Sequence, residues 1–123
     1  MKQYPLQSML FVIMLTSCDT RTVSFEHDIA PVLESRCVEC HSSPDGSGYK
    51  AIGLELDSYD GVIKGTIYGP VVIAGDSRHS TLNMLVEGRA GKRECMPGES
   101  QQGLSDEQID LFSDWVNQGA LKN

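Results

Sequence analysis

Apolar positions change rhythm along this chain. Near the start, Met9-Leu10-Phe11-Val12-Ile13-Met14-Leu15 is an unbroken run. Beyond it, Phe25, Ile29, Val32 and Leu33 recur at i, i+4, i+7 and i+8, the stripe of an amphipathic helix. The pattern predicts a helix over Phe25–Cys37 with Ser24 as N-cap, and Glu26 and Asp28 favour the positive end of its dipole. Pro31 has no backbone donor, so the helix proper is expected to start at Ala30–Pro31, where proline in the first position is tolerated. Near the end, Ile109, Phe112, Trp115 and Val116 form a second stripe with Leu111 on its flank. Ser105 and Gln108 have the spacing of a capping box before it, and Gly119 is placed to stop the helix as its C′ residue.

The pieces between are shorter. Ser58–Lys64 reads as a turn or two of helix and Val71–Ala74 as an extended segment. Ser80–Glu87 reads as a helix with Leu82, Leu85 and Val86 apolar, and Gly88–Gln102 as a polar, glycine-rich loop. No repeat or low-complexity tract is present. The expected fold is mainly α, a small domain whose N- and C-terminal helices cross beside a cofactor.

The apolar run after Lys2 is too short for the about 20 residues that span a bilayer, and it has the form of a secretory leader. It closes on Leu15-Thr16-Ser17-Cys18, which resembles a bacterial lipobox with Cys18 as the lipidated first mature residue. The expected organisation is a leader over 1–17, a tether over 18–23 and one domain over 24–123. An ordinary leader with an incidental Cys18 is the simpler alternative. The expected location is outside the cytoplasm, lipid-anchored to a bacterial membrane and facing the periplasm or the exterior. With a formal net charge of −7 and a pI near 4.8, the chain has no electrostatic footprint for nucleic acid. An anionic face instead suits docking to a basic patch on a protein partner.

Export gives weight to Cys37-Val38-Glu39-Cys40-His41. Two thiols about one helical turn apart can each add to a vinyl group of one porphyrin, and the adjacent imidazole can bind its iron. In an exported chain the string reads as attachment of one covalent haem c, with Cys37 and Cys40 as thioether donors and His41 as an axial ligand. In a cytosolic chain it would equally suit zinc or thiol redox chemistry. A haem plate would also complete the thin core of a domain of this size.

The second axial position has several claimants. Met96 precedes Pro97, which stiffens the backbone and disfavours helix at Met96, a suitable way to present a weak thioether ligand. Met84 lies in an apolar helical stretch and reads as core, the usual role of methionine. His27 and His79 read as exposed or helix-start residues. An open sixth site and a thiolate from the leftover Cys95 are further alternatives.

Taken in order, Phe25…Asp28-Ile29-Ala30-Pro31-Val32-Leu33…Cys37-Val38-Glu39-Cys40-His41, Gly53-Leu54-Glu55-Leu56-Asp57-Ser58, Val72-Ile73-Ala74-Gly75-Asp76, Ser80-Thr81-Leu82, Met96-Pro97, Leu104-Ser105-Asp106-Glu107-Gln108-Ile109 and Trp115-Val116-Asn117-Gln118-Gly119-Ala120 resemble the planctomycete-type cytochrome c domain. The resemblance runs over essentially the whole mature chain. It implies a class I-like cytochrome c fold, haem attached at Cys37 and Cys40, His41 as proximal and Met96 as distal ligand, and Trp115 as the terminal-helix aromatic that packs near the haem. Many relatives carry this domain at the front of larger proteins, whereas here it stands behind a lipobox.

The functional expectation is therefore electron transfer between a donor and an acceptor protein, with no enzymatic activity. Asp106-Glu107 and the Asp57/Asp60 pair read as helix-start charges rather than catalytic carboxylates. The second class is haem-based ligand binding or sensing with an exchangeable sixth position. The third is a zinc or thiol-redox module, against which the lack of a second Cys-x-x-Cys already counts.

Overall fold

A computed structural model describes residues 21–90 and 103–123. A π-helical turn, Phe25–Ile29, leads into α1 (Ala30–Arg36), followed by α2 (Ser47–Ile52), α3 (Tyr59–Lys64), α4 (Thr81–Val86) and α5 (Asp106–Asn117). The only bridge-type pairing among these residues is an isolated contact, Thr66 with Gly69, so the fold is mainly α. No helix among the described residues is long and apolar enough to cross a membrane.

Proline explains how the first helix begins. Pro31 cannot donate to the preceding turn, and the backbone over Phe25–Ile29 takes wider i→i+5 bonds, with Ile29 N–H reaching Ser24 C=O at 3.3 Å. The expected single helix over Phe25–Cys37 is thus a π turn followed by an α-helix that starts at Ala30. Ser24 is the N-cap, its hydroxyl accepting from His27 N–H at 3.1 Å. At the other end, Ser105 Oγ accepts from Gln108 N–H while Gln108 Oε1 accepts from Ser105 N–H, at 3.2 and 3.0 Å. Gly119 follows α5 at a φ of 106°, a backbone region that favours glycine.

The core gathers Val23, Phe25, Ile29, Val32 and Leu33 from the N-terminal segment against Phe112, Trp115 and Val116 from α5. Leu54, Leu56, Val62, Val71, Val72, Leu82 and Val86 fill the space from the intervening pieces. Phe25, Tyr59 and Trp115 meet with ring centroids 5.1 to 6.4 Å apart, mostly edge to face. Trp115 also donates from its indole N–H to the Leu121 carbonyl at 3.0 Å.

Residues 21–26 and 118–123 are fastened to each other. Asn123 accepts from Phe25 N–H through its side chain and from Glu26 N–H and the Ser24 hydroxyl through its carbonyl oxygen, at 2.9, 3.0 and 2.7 Å. Gln118 accepts from Val23 N–H at 2.8 Å and donates to Arg21 C=O at 3.1 Å. These partners satisfy helix-start donors that the π turn itself leaves open.

The structure adds one helix and changes three expectations. Ser47–Ile52 is helical, although so short a segment with a glycine inside carries no periodic signal. Leu85 is exposed and Ile109 only half-buried, so each stripe is narrower than its apolar letters suggested. Met84 is half-buried and lies outside the core cluster; the neighbouring Asn83 takes the buried face of α4. Val71–Ala74 is irregular rather than extended, tied down where Leu82 N–H donates to Val71 C=O.

Candidate haem-attachment site

The turn after α1 holds the three residues of the string. Cys37 is the C-cap of α1, and the N–H groups of Cys40 and His41 both donate to its carbonyl, at 3.2 and 3.0 Å. This helical winding continues for one turn and places the two cysteines on neighbouring steps of it. Cys37 is buried in the core cluster and Cys40 is half-buried, and neither is in a disulfide. Burial, with Cys40 beside it and Arg36 opposing, pushes the Cys37 thiol up to about 11. Redox-active and metal-seeking thiols have the opposite property, a lowered pKa.

The segment after His41 folds back onto the turn. Cys40 C=O accepts from Gly48 and Tyr49 N–H at 2.7 and 3.1 Å, and His41 C=O accepts from Leu56 N–H at 2.8 Å. Gly46 N–H closes the small loop onto Ser42 C=O at 2.9 Å. The string is therefore clamped between α1 on one side and α2 with the 54–56 segment on the other.

Within this clamp the His41 imidazole is half-buried, and its Nδ1 is buried without a hydrogen bond. Burial lowers its pKa below the ordinary histidine value, and the Leu54 backbone beside it acts the other way. A neutral ring is the form that binds a metal. The residues fit a covalent haem: two uncrosslinked thiols one turn apart, and an imidazole kept neutral and fixed beside them. Among the described residues no group of three or more His, Cys, Asp and Glu side chains is placed around one ion.

The other expected site residues are dispersed. Met96 and Cys18 lie outside the described residues, as does Cys95. Met84 sits on α4. His27 is exposed, and His79 pairs with Asp76 at the surface, Nδ1 to Oδ2 at 2.7 Å, which with the His79 backbone bond lowers the Asp76 pKa. A cleft of roughly 230 Å³ lies beside α1, lined by Phe25, Ala30, Glu34, Val38, Leu56 and Asp57. Val38 belongs to the string, whereas Cys37, Cys40 and His41 do not line this cleft. Sequence reading missed Gly48 and the Leu54 backbone, which surround His41; the one available signal was the run of glycines at 46, 48 and 53.

A helical domain that clamps a Cys-x-x-Cys-His turn in this way is a c-type cytochrome domain by class. The sequence profile of the planctomycete cytochrome C family matches residues 37–100, just over half of the chain. The chain belongs to that family, and membership carries with it covalent haem of the c type. The matched span starts on Cys37 and reaches past Met96-Pro97, whereas α1 and α5 lie outside it. Among curated proteins, the chain is similar to hydrazine synthase subunit alpha of Kuenenia stuttgartiensis, 44% identical over 48 residues. That stretch is 39% of this chain and 6% of the subunit, so the chain spans only a small part of that relative. No solved structure matches.

Proposed function

We propose that this protein is a one-haem electron carrier, tethered to a membrane by lipid at Cys18, that passes single electrons between a donor and an acceptor protein. The observation that carries the reading is the clamped turn Cys37–His41, with its buried imidazole, inside the family match. Cys37 and Cys40 would hold the haem through thioethers, His41 would bind the iron on one side and Met96 on the other. The bound haem supplies a one-electron iron couple, and axial methionine raises its potential relative to nitrogen ligands alone.

The remaining work belongs to the chain. The backbone clamp holds His41 in place, burial lowers the pKa of its ring, and the aromatic cluster around Trp115 stiffens the packing of the N-terminal turn on α5. Rigidity matters because a carrier that barely changes shape wastes little energy in reorganising. The acidic surface supports docking to a basic partner, in a salt-dependent way. The likeness to hydrazine synthase subunit alpha concerns too small a part of that protein to bring its activity here.

An optical redox titration of the purified protein tests this reading, together with haem staining on a denaturing gel. The expected result is covalent haem, one reversible one-electron transition, and a far-red thioether charge-transfer band in the oxidised form. Met96→Ala should keep the haem but lose that band and lower the midpoint. Rapid carbon monoxide binding by the reduced wild type at neutral pH, without the band, would instead favour a ligand-binding or sensing protein with an exchangeable sixth position. Cys18→Ser should move the protein from the membrane to the soluble fraction.

A further inference from the structure

The geometry points to Gly48 as a positioning residue for the His41 imidazole, an inference that rests on the haem reading above. Gly48 lies in the first turn of α2, and its backbone runs directly against one face of the ring. A Cβ at this position would stand 2.4 Å from His41 Cε1, 2.7 Å from Nδ1 and 2.8 Å from Nε2. Real Cβ atoms do not approach other heavy atoms so closely, and all three nearest atoms belong to this one side chain. A point nearly equidistant from the two nitrogens and this close to Cε1 stands above the ring plane, so one face of the imidazole is covered at Cε1 by glycine backbone.

Nothing else at position 48 asks for glycine. Its backbone is not in the left-handed region, and it sits in a helix, where alanine is the better former. Gly46 makes the contrast: a Cβ there would meet the backbone oxygens of Cys40 and Ser42, at 2.5 and 2.7 Å, so it serves the tightness of the loop. Gly48 serves the ring. Its position is itself locked to the haem string, since its N–H donates to Cys40 C=O at 2.7 Å, one residue before His41. A short closed path thus runs from His41 through the Cys40 carbonyl to Gly48 and back to the imidazole face. With Gly48 in place the ring cannot tip toward α2, and the tilt of its plane is limited by backbone rather than by a flexible side chain.

The test uses full-length holoprotein, with wild type, Gly48→Ala and, as a neighbouring control on the same helix, Ser47→Ala. Two-dimensional NMR of the reduced wild type should show a strong nuclear Overhauser contact between the Gly48 α-protons and the His41 ring Hε1. Low-temperature EPR of the oxidised forms reads the orientation and field of the axial imidazole. Gly48→Ala should shift the g values well beyond the wild-type line width while haem staining stays equal, and Ser47→Ala should leave them unchanged. If Gly48→Ala fails to accumulate, the NMR contact on the wild type decides. Attached haem with no such contact, or with unaltered g values in Gly48→Ala, overturns the positioning role alone. A wild type without covalent haem overturns the carrier reading and the inference together.

Discussion

Two regions of this small domain are built on opposite terms. The terminal clasp, where the Phe25–Ile29 turn and α1 meet α5, satisfies itself: Phe112, Trp115 and Ile29 are fully buried, and the backbone donors at residues 23 to 29 find partners in Ser24, Asp28, Gln118 and Asn123. The clamp around Cys37–His41 does not. It holds a buried nitrogen with no partner, two uncrosslinked thiols, and glycines where side chains would otherwise fill space. Tight packing and complete hydrogen bonding are what a chain achieves alone, whereas orphaned polar atoms mark a place shaped for something added. The clasp provides rigidity and the clamp provides chemistry.

The sharpest way to break the comparison is to remove both thiols. Cys37→Ala combined with Cys40→Ala should abolish haem staining and leave a poorly folded chain, with most of the far-ultraviolet helix signal melting at low urea. A cooperatively folded, stable protein without haem would show that the clamp stands by itself, as the clasp does. Next in size is Trp115→Ala in the holoprotein. Deleting a fully buried indole and its bond to Leu121 should cost about 3–5 kcal/mol, read as a lower urea midpoint, while the haem spectrum keeps its shape. A spectrum that changed as much as the stability would mean that the two regions are not separable.

Asn123→Ala should cost about 1 kcal/mol, because it removes the side-chain acceptor for Phe25 N–H and leaves the main-chain contacts to Glu26 and Ser24. An unchanged urea midpoint would remove the closing role assigned to this residue. The smallest effect is expected from Asp28. Its carboxylate accepts from Ser24 N–H at 2.8 Å and pairs with Arg21, and the backbone bond is the main cause holding its pKa below the ordinary carboxylate value. A folded-state pKa below the unfolded one means that the unfolded chain binds the proton more readily. The stabilisation is therefore present above the ordinary carboxylate pKa and is lost as pH falls through the lowered folded value. Asp28→Asn should lower stability at neutral pH by less than about 1 kcal/mol and flatten the acid limb of a stability–pH curve. An acid limb identical to wild type would place the acid sensitivity elsewhere.

Parts of this molecule were legible because they are local. The Ser105–Gln108 capping box, the Ser24 cap, the stop at Gly119 and the break imposed by Pro31 each depend on residues within a few positions of one another. The Cys37–His41 string belongs to the same kind, since one turn of backbone suffices to bring its thiols together. Apolar letters were a poorer guide where burial is decided by a distant partner: α5 and the irregular 71–72 segment select Leu82, Asn83 and Val86 on α4 and leave Leu85 outside. The buried Asn83, whose amide has no partner among the described residues, is the strongest instance. No pattern in the sequence distinguishes it from a surface asparagine.

What the sequence determined by itself was the chemistry on offer: a haem-attachment string, a family resemblance, and two helices with caps and stripes. Those follow from bond connectivity and from contacts within a turn or two. Tertiary structure alone decided how the string is held. The closure of residues 21–26 by 118–123, the return of α2 onto Cys40 and the pressing of Gly48 against His41 are contacts between segments that sequence spacing does not relate. A glycine is read from sequence as a place where the chain can bend. Only when the chain is folded does the missing side chain at position 48 become room for an imidazole face.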